Sequence, residues 1–328
     1  MRSLKKMAIA AGLSACFALP ASAAVYVVAH PDDDILLMGP NLVNDIINGY
    51  PTVIIIVTAG DAGNGHGATS AYGEASGQFN NLNQQYYRTR LNARLNALES
   101  WIPAASKTTY RNWTWIDESF GSHAPAVERW FLGNVVAYHL NLPDEPELSA
   151  TKLTNLFEGR TGSLSDIRGI NTYTAPQLRE TIRQIISRNN RNTPNLVINF
   201  HEYRPGGDHP DHYTVGRFVQ TAIAETPAYG CMSQAIYPGY SMTAVDPRPG
   251  LLDRQRAGYE ILHQTLLQGG NITPITDGSV DTVAHPTWMP TTVYQGSLQR
   301  GTMDAFHTKF YGKTQYAGAR PLPQPCAF

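Results

Sequence analysis

The sequence predicts an α/β fold: a doubly wound, mostly parallel sheet with helices on both faces and a C-terminal extension. Three apolar runs rich in β-branched residues predict buried strands, at Val25–Ala29, Thr52–Val57 and Asn195–Phe200. Nearly continuous runs of this kind are typical of parallel strands covered on both faces. Helical patterns separate these runs along the chain, and such alternation favours a doubly wound sheet.

The remaining elements follow in chain order. Apolar spacing predicts helices at Ile35–Asn48, Phe79–Trp101, Ala175–Asn189 and Arg254–Leu267. The stretch 129–143 predicts an additional strand region, which could form a hairpin. The intervening residues 60–77 are rich in Gly, Ala, Ser and Asn and predict a long surface loop. A single large domain therefore accounts for most of the chain.

Residues 1–23 have the features of a secretory signal peptide. A basic start precedes an apolar stretch at 7–15 and a small-residue cleavage site at 21–23, and the apolar stretch is short for a membrane span. The segment around Cys16 resembles a lipoprotein box, but the bulky Phe17 behind it favours soluble export. We expect cleavage after Ala23, a main domain at 24–270, an extension at 271–328 packed on the core, and a periplasmic or secreted location.

Charge and cysteine content exclude several classes of protein. Loss of three of the 25 basic residues with the signal leaves 22 against 26 acidic residues, a formal charge of −4. No basic cluster indicates nucleic acid, no later apolar stretch is long enough for a membrane span, and nothing implies a protein partner. Cys231 and Cys326 would remain, which suits one disulfide in an oxidising compartment but not a cysteine-rich zinc site.

Two clusters of His and Asp follow predicted strands and precede predicted helices. The first reads His30-Pro-Asp-Asp-Asp34, and the second reads His209-Pro-Asp-His212. Ligands in open α/β sheets bind outside the carboxyl ends of the strands, so we expect the two clusters to converge. Imidazole and carboxylate groups are zinc ligands, and a catalytic zinc site uses three of them plus water. The alternative is a capped helix start and a polar turn.

The motifs AHPDDD (29–34) and HPDH (209–212) resemble those of the PIG-L/LmbE family of zinc-dependent N-acetylglucosaminyl deacetylases. The stretches YHLNLPDE (138–145) and NTYTAPQLRETI (171–182) resemble the exported bacterial and fungal branch of that family. TAGDAG (58–63), after the second predicted strand, is also similar to that family. The resemblance extends from Val25 through the helix after Arg217. Asp34 replaces the Glu that usually ends the first motif, which leaves the contacts of that position open.

The resemblance implies specific roles for the residues of both motifs. It makes His30, Asp33 and His212 the zinc ligands and Asp32 the general base. It further implies that His209 polarises the carbonyl or donates a proton, and that Asp211 orients an imidazole. Iron(II) also suits this ligand set.

Several other polar residues are candidates for contact with a substrate. They follow predicted strands or lie on the helix after the long loop: Asp61, Arg88, His201, Glu202, Tyr203 and Arg204. A buried structural pair is the alternative for His201 and Glu202.

We therefore interpret the sequence as that of an exported zinc hydrolase. It would remove an acyl group, expected to be acetyl, from an N-acetylglucosamine-type amino sugar or a related amide. The partner would be a small molecule or a glycan. Two alternatives remain: an esterase or amidohydrolase acting on a non-carbohydrate substrate, and a metal-dependent carbohydrate-binding protein without catalysis.

Overall fold

The structure is a computed structural model of the full chain. It describes residues 23–61, 63, 65–66, 86–107, 112–145, 151–189, 196–205, 208–226, 232–239, 249–267 and 313–316. Residues 1–22 of the predicted signal segment 1–23, most of the predicted extension, and both Cys231 and Cys326 lie outside these residues. Within them, no helix combines the length and apolarity that crossing a bilayer requires.

One large mixed sheet forms the centre of the fold. In the part of the chain that the structure describes, its eight strands are β1 (Ala23–Val28), β2 (Thr52–Thr58), β3 (Thr114–Glu118), β4 (Val127–Leu132), β5 (Val135–Leu142), β8 (Leu196–His201), β9 (Ser233–Tyr237) and β10 (Lys313–Tyr316). They lie in the order β10-β9-β8-β1-β2-β5-β4-β3, with β9, β8, β1, β2 and β5 parallel to one another. The short strands β6 (Leu164–Ser165) and β7 (Thr172–Tyr173) form a separate antiparallel pair.

Helices cover both faces of this sheet. They are α1 (Asp33–Leu36), α2 (Gly39–Ile47), α3 (Tyr86–Trp101), α4 (Lys152–Phe157), α5 (Ala175–Asn189), α6 (Pro210–Ala224) and α7 (Pro249–Leu267). Side chains of α2, α3 and α7 pack on one face with Tyr26 and Ile54, whereas those of α4, α5 and α6 pack on the other with Val25 and Ile55. Burial on both faces explains why the central strands are apolar at most positions. The predicted doubly wound α/β fold is confirmed.

Within the described residues, two predicted helices differ from their expected bounds, and the one predicted at Arg254–Leu267 begins earlier, at Pro249. The helix predicted at Ile35–Asn48 is two helices, because the first ends at Leu36 and the second begins at Gly39. Pro40 in the first turn of the second helix has no N–H to continue the ladder of the first. The region 129–143 is the antiparallel hairpin of β4 and β5, and β5 also pairs in parallel with β2. This hairpin extends the main sheet.

The carboxyl ends of the parallel strands lie at one edge of the sheet. Residues that follow β1, β2, β5 and β8 emerge there, so segments distant in sequence become neighbours. The strand register places Val28 beside Ile56 and Val27 beside Phe200. His30 and His201 therefore leave adjacent strands at nearly the same height, which is where ligand sites occur in open α/β sheets.

Candidate active site

The first motif forms a tight turn between β1 and α1. The N–H groups of Asp32 and Asp33 donate to His30 O at 2.9 and 3.3 Å, and Pro31 restricts the backbone between them. The N–H of His30 in turn donates to Asp33 Oδ2 at 2.7 Å. This bond holds the Asp33 carboxylate against its own loop.

The second motif starts helix α6. His209 is the N-cap residue, and its Nδ1 accepts a hydrogen bond from Asp211 N at 3.2 Å. His212 lies in the first turn and is completely buried. Its helix approaches the end of β8 closely, because a Cβ on Gly216 would lie 2.4 Å from the carbonyl oxygen of His201. Glycine at 216 thus lets His212 reach the edge of the sheet.

Donor atoms of His30, Asp33 and His212 converge on one point. His30 Nδ1 lies 3.2 Å from His212 Nε2 and 3.3 Å from Asp33 Oδ2, and His212 Nε2 lies 3.2 Å from Asp33 Oδ1. Ligands of a tetrahedral ion with bonds near 2.0 Å are about 3.3 Å apart. Two imidazole nitrogens and one carboxylate at this spacing fit a zinc ion with an open fourth position.

His201 lies against this triad, as expected for a residue at the carboxyl end of a parallel strand, where ligand sites of open α/β sheets occur. Its ring stacks on that of His212 at 4.3 Å, and its Nε2 is 3.2 Å from Asp33 Oδ2. Asp33, His201 and His212 together form a second possible group of metal ligands. His201 is fully buried, and its Nδ1 has no hydrogen-bond partner among the described residues.

The opposite nitrogen of His30 faces two further carboxylates. His30 Nε2 lies 3.2 Å from Asp144 Oδ1 and 3.6 Å from Asp211 Oδ2. These acceptors favour a proton on Nε2, which leaves Nδ1 available to a metal. Asp144 is thus the closer of the two to the ring, and the orienting role of Asp211 stays a prediction.

Asp32 pairs with Arg90 of α3. Arg90 donates to Asp32 Oδ1 at 2.9 Å and to the carbonyl oxygen of Gly60 at 2.7 Å. Gly60 has φ +63°, and a Cβ there would lie 2.5 Å from both Arg90 Nη1 and Pro31 Cδ. The loop after β2 thus needs glycine for Arg90 to reach Asp32.

The electrostatics of the triad favour a cation. Burial by itself disfavours charge on His30, yet the carboxylates of Asp144 and Asp33 raise the His30 pKa well above its ordinary value. Burial likewise opposes charge on His212, but Asp33 and Asp208 raise its pKa to about 9. Protons on these two rings balance the buried carboxylates in the metal-free protein. A metal ion would displace such protons on binding.

The two neighbouring titratable groups behave differently. Burial raises the pKa of Asp32 to about 6, although Arg90 acts in the opposite direction. Burial, with the nearby rings of His30 and His212, lowers the pKa of His209 to about 3. His209 is therefore a neutral imidazole near pH 7 in the metal-free protein.

Two of the predicted substrate residues are engaged in internal contacts. Asp61 accepts backbone N–H groups of Asp144 and Gly65, each at 2.8 Å, and so fixes the loop that carries Asp144. Arg88 forms a two-pronged ion pair with the buried Glu128. Their contact with a substrate stays a prediction.

The other predicted substrate residues lie just beyond β8. The N–H of Glu202 donates to Tyr237 O at 2.8 Å, and Arg204 lies over the ring of Tyr203. Among the described residues, none of the three forms a hydrogen bond or ion pair with His30, Asp33 or His212, and their contact with a substrate stays a prediction. His201 is thus the member of this group that reaches the triad.

Asp144 and Arg90 are site residues that the sequence did not single out for this position. Asp144 follows the parallel strand β5, so the same rule of strand ends that found Asp61 could have found it. Arg90 is one of several arginines on α3, and nothing in the spacing shows that it alone faces Asp32.

Comparison with known proteins gives a family and a set of similar folds. The family model described as GlcNAc-PI de-N-acetylase, PIG-L, matches residues 25–223. No curated protein matches the chain significantly. Among solved structures, N,N'-diacetylchitobiose deacetylase from Pyrococcus horikoshii has 12% identity and a TM-score of 0.46, covering 91% of this chain and 85% of that one.

Two further solved structures are similar at comparable levels. The A40926 pseudoaglycone deacetylase Dbv21 has 14% identity and a TM-score of 0.43, with 92% of this chain and 99% of that one covered. The 4-carboxy-2-hydroxymuconate hydratase GalB from Pseudomonas putida has 12% identity and a TM-score of 0.42, with the same coverage. The family model spans well over half of the chain and includes both His/Asp motifs. The chain therefore belongs to the PIG-L family.

Proposed function

We propose that this protein is an exported, zinc-dependent N-deacetylase that removes an acyl group, expected to be acetyl, from an N-acetylglucosamine-type amino sugar or a related amide. One observation carries the proposal: the donors of His30, Asp33 and His212 lie 3.2–3.3 Å apart, and the buried Asp32 is next to Asp33 in the same loop. Membership of the PIG-L family supports the same reaction class.

The donor set suits zinc. Two nitrogens and one carboxylate make a three-ligand site of the kind that catalytic zinc occupies, with iron(II) as an alternative. When bound, the ion would lower the pKa of a water molecule and polarise the carbonyl of the substrate. His30, Asp33 and His212 would hold it.

Asp32 is suited to act as the general base. Arg90 fixes Oδ1 at 2.9 Å, whereas Oδ2 has no hydrogen-bond donor among the described residues. Oδ2 would accept the proton of the attacking water as the bond to the acyl carbon forms. The same carboxyl group could return that proton to the departing nitrogen when the C–N bond breaks. The products are acetate and a free amine.

His209 is suited to stabilise the oxyanion. Its Nδ1 accepts from a backbone N–H, which can only donate, so the neutral ring carries its proton on Nε2. That N–H can donate to the oxygen that becomes negative in the tetrahedral state. The capping bond of α6 thereby sets the tautomer. This geometry favours carbonyl polarisation over proton donation for His209.

The decisive experiment measures acetate release from a panel of substrates. Purified protein would be stripped with a chelator, reloaded with zinc or iron(II), and given N-acetylglucosamine conjugates, chitooligosaccharides and acetyl esters of similar size. We expect acetate from an amide, lost on chelation and restored by metal. Asp33→Ala should lose zinc and activity, whereas Asp117→Ala, which removes an exposed carboxylate on β3, should keep both.

Each alternative function has its own outcome in this panel. Release of acetate from esters but not from amides would replace the deacetylase with an esterase. Metal-dependent binding of the glycans without any release would indicate a carbohydrate-binding protein. The retention of Asp32 beside Asp33 supports the enzyme, because metal binding does not need an additional base.

Export is a separate part of the proposal. It is supported by the basic, apolar and small-residue segments of residues 1–23. Strand β1 begins at Ala23, so cleavage after that residue would leave five of its six residues. The intact mass of the exported protein should correspond to a chain that starts at Ala24, and a lipid on Cys16 would contradict this.

A further inference from the structure

Three buried threonines connect helix α4 to Asp211. Thr151 Oγ1 donates to Asp211 Oδ1 at 2.5 Å and lies 3.1 Å from Thr154 Oγ1. Thr154 Oγ1 lies 2.9 Å from Thr214 Oγ1 on α6. Thr151 and Thr214 are completely buried, and Thr154 is nearly so. The chain of hydroxyls therefore runs through the interior and ends at the carboxylate.

The hydroxyl of Thr151 donates its single proton to Asp211. A carboxylate can only accept, and Thr151 Oγ1 also accepts from Thr154 N at 3.1 Å as the N-cap of α4. A hydroxyl has a single proton, so Thr151 gives it to Asp211, and the bond to Thr154 Oγ1 then uses the proton of Thr154. Capping a helix needs the lone pairs of the hydroxyl but not its proton. The bond to Asp211 thus goes beyond the structural role of the cap.

Asp211 is held from two sides against His30. Its N–H donates to His209 Nδ1, and its Oδ1 accepts from Thr151. Its Oδ2 is buried, has no hydrogen-bond partner among the described residues, and lies 3.6 Å from His30 Nε2. A buried carboxylate oxygen without a donor is unfavourable, so other contacts must hold it there. Thr151 supplies the side-chain contact that does so.

We propose that Thr151 is a positioning residue, whose hydroxyl holds Asp211 beside His30 Nε2 and so turns His30 Nδ1 toward Asp33 and His212. The proposal rests on the proposed function in that the triad binds zinc. Partners that fix the orientation of a ligating imidazole affect metal affinity as well as geometry. The N-cap residue of α4, remote from both motifs in sequence, would thereby affect the zinc affinity of the metal site.

The test compares the loss of a hydroxyl group at two positions in the series Thr151, Thr154 and Thr214. Thr151→Val removes the donor to Asp211, Thr151→Ser keeps it, and Thr214→Val removes a buried hydroxyl that does not contact Asp211. Zinc affinity of the stripped proteins would be measured by competition with a chelating dye. We expect Thr151→Val to bind zinc about 10–100-fold more weakly, with Thr151→Ser and Thr214→Val close to wild type. Thr151→Ala replaces Thr151→Val if the latter does not fold.

Crystal structures of the metal-free variants give a readout independent of zinc. We expect the Asp211 carboxylate to turn away from His30 in Thr151→Val and to keep its place in Thr214→Val. An unmoved Asp211 in Thr151→Val, or an equal loss of zinc affinity in Thr214→Val, would overturn the proposal. If the wild-type protein binds no zinc, the proposed function fails, and the position of Asp211 still decides the role of Thr151.

Discussion

Arg94 and Asp34 form an ion pair that is completely enclosed by the protein. Arg94 Nη2 lies 2.7 Å from Asp34 Oδ2, and neither side chain has any exposed surface. Arg94 Nε donates to both oxygens of the same carboxylate at 3.1 Å. The contacts of Asp34, which the sequence left open, are thus with α3. The last residue of the first motif joins the ligand loop to this helix.

Removing one member of this pair should destabilise the protein strongly. Asp34→Ala leaves the guanidinium of Arg94 buried without its counter-charge, and we expect the free energy of unfolding to fall by about 3–5 kcal/mol. Urea denaturation measures the change, with the exposed-site variant Asp117→Ala as control. A loss no larger than that of the control would show that Asp34 does not compensate Arg94.

Asp32 and Asp33 should have separable roles despite being adjacent. Asp33→Ala removes a donor of the triad and is expected to lose zinc and activity together. Asp32→Asn keeps the triad and is expected to retain zinc while kcat falls by about 10²–10⁴, the usual contribution of general acid–base catalysis. Metal analysis and steady-state kinetics on the same preparations separate the two. Wild-type turnover by zinc-loaded Asp32→Asn would exclude Asp32 as the base.

Gly216→Ala should disturb the site through the backbone. The new Cβ would lie 2.4 Å from His201 O and 2.9 Å from Glu202 O, so α6 must shift and carry His212 with it. We expect a loss of about 1–3 kcal/mol in unfolding free energy, as for other overpacked sites, and weaker zinc binding. Gly250→Ala is the matched control, since a Cβ on this helical glycine has open space around it. Equal behaviour of the two variants would contradict the close approach of α6 to β8.

His139 should make stability depend on pH. Burial, with Arg94, Arg88 and Arg168, lowers the His139 pKa well below 6.5, although Glu128 lies opposite on β4. Below about pH 6.5, His139 therefore binds a proton in the unfolded chain but not in the folded protein. The contribution of His139 to the free energy of unfolding is thus fully present above that pH and is lost as the pH decreases.

The variant His139→Leu isolates this effect. Relative to the variant, the wild type should lose up to about 1.4 kcal/mol of unfolding free energy per pH unit below pH 6.5. Above that pH the difference between the two proteins should be constant. Urea titrations at several pH values measure it, and the comparison cancels contributions from the other histidines. Parallel curves across the whole range would mean that His139 takes up a proton equally well in the folded protein.

The sequence by itself determined the fold class, the central strands and the location of the two motifs. Continuous β-branched runs and alternating helical periodicity are local properties, and they identified β1, β2, β8 and α5 to within two residues. The rule of strand ends then placed His30 and His212 at one edge of the sheet. The break between α1 and α2 was not predicted, although Pro40 marks it. Cleavage of the signal peptide and pairing of Cys231 with Cys326 stay predictions.

Only the tertiary structure decided which polar side chains meet around the triad. Arg90, Asp144 and Thr151 come from three different elements, and each is 50 or more residues from the nearer motif in sequence. Their contacts depend on helix rotation, on strand register and on two glycines that permit close backbone approach. Such contacts are decided by which buried groups can satisfy one another in the packed interior, because an unsatisfied buried charge is costly. Local sequence patterns do not indicate which of these buried polar groups will pair.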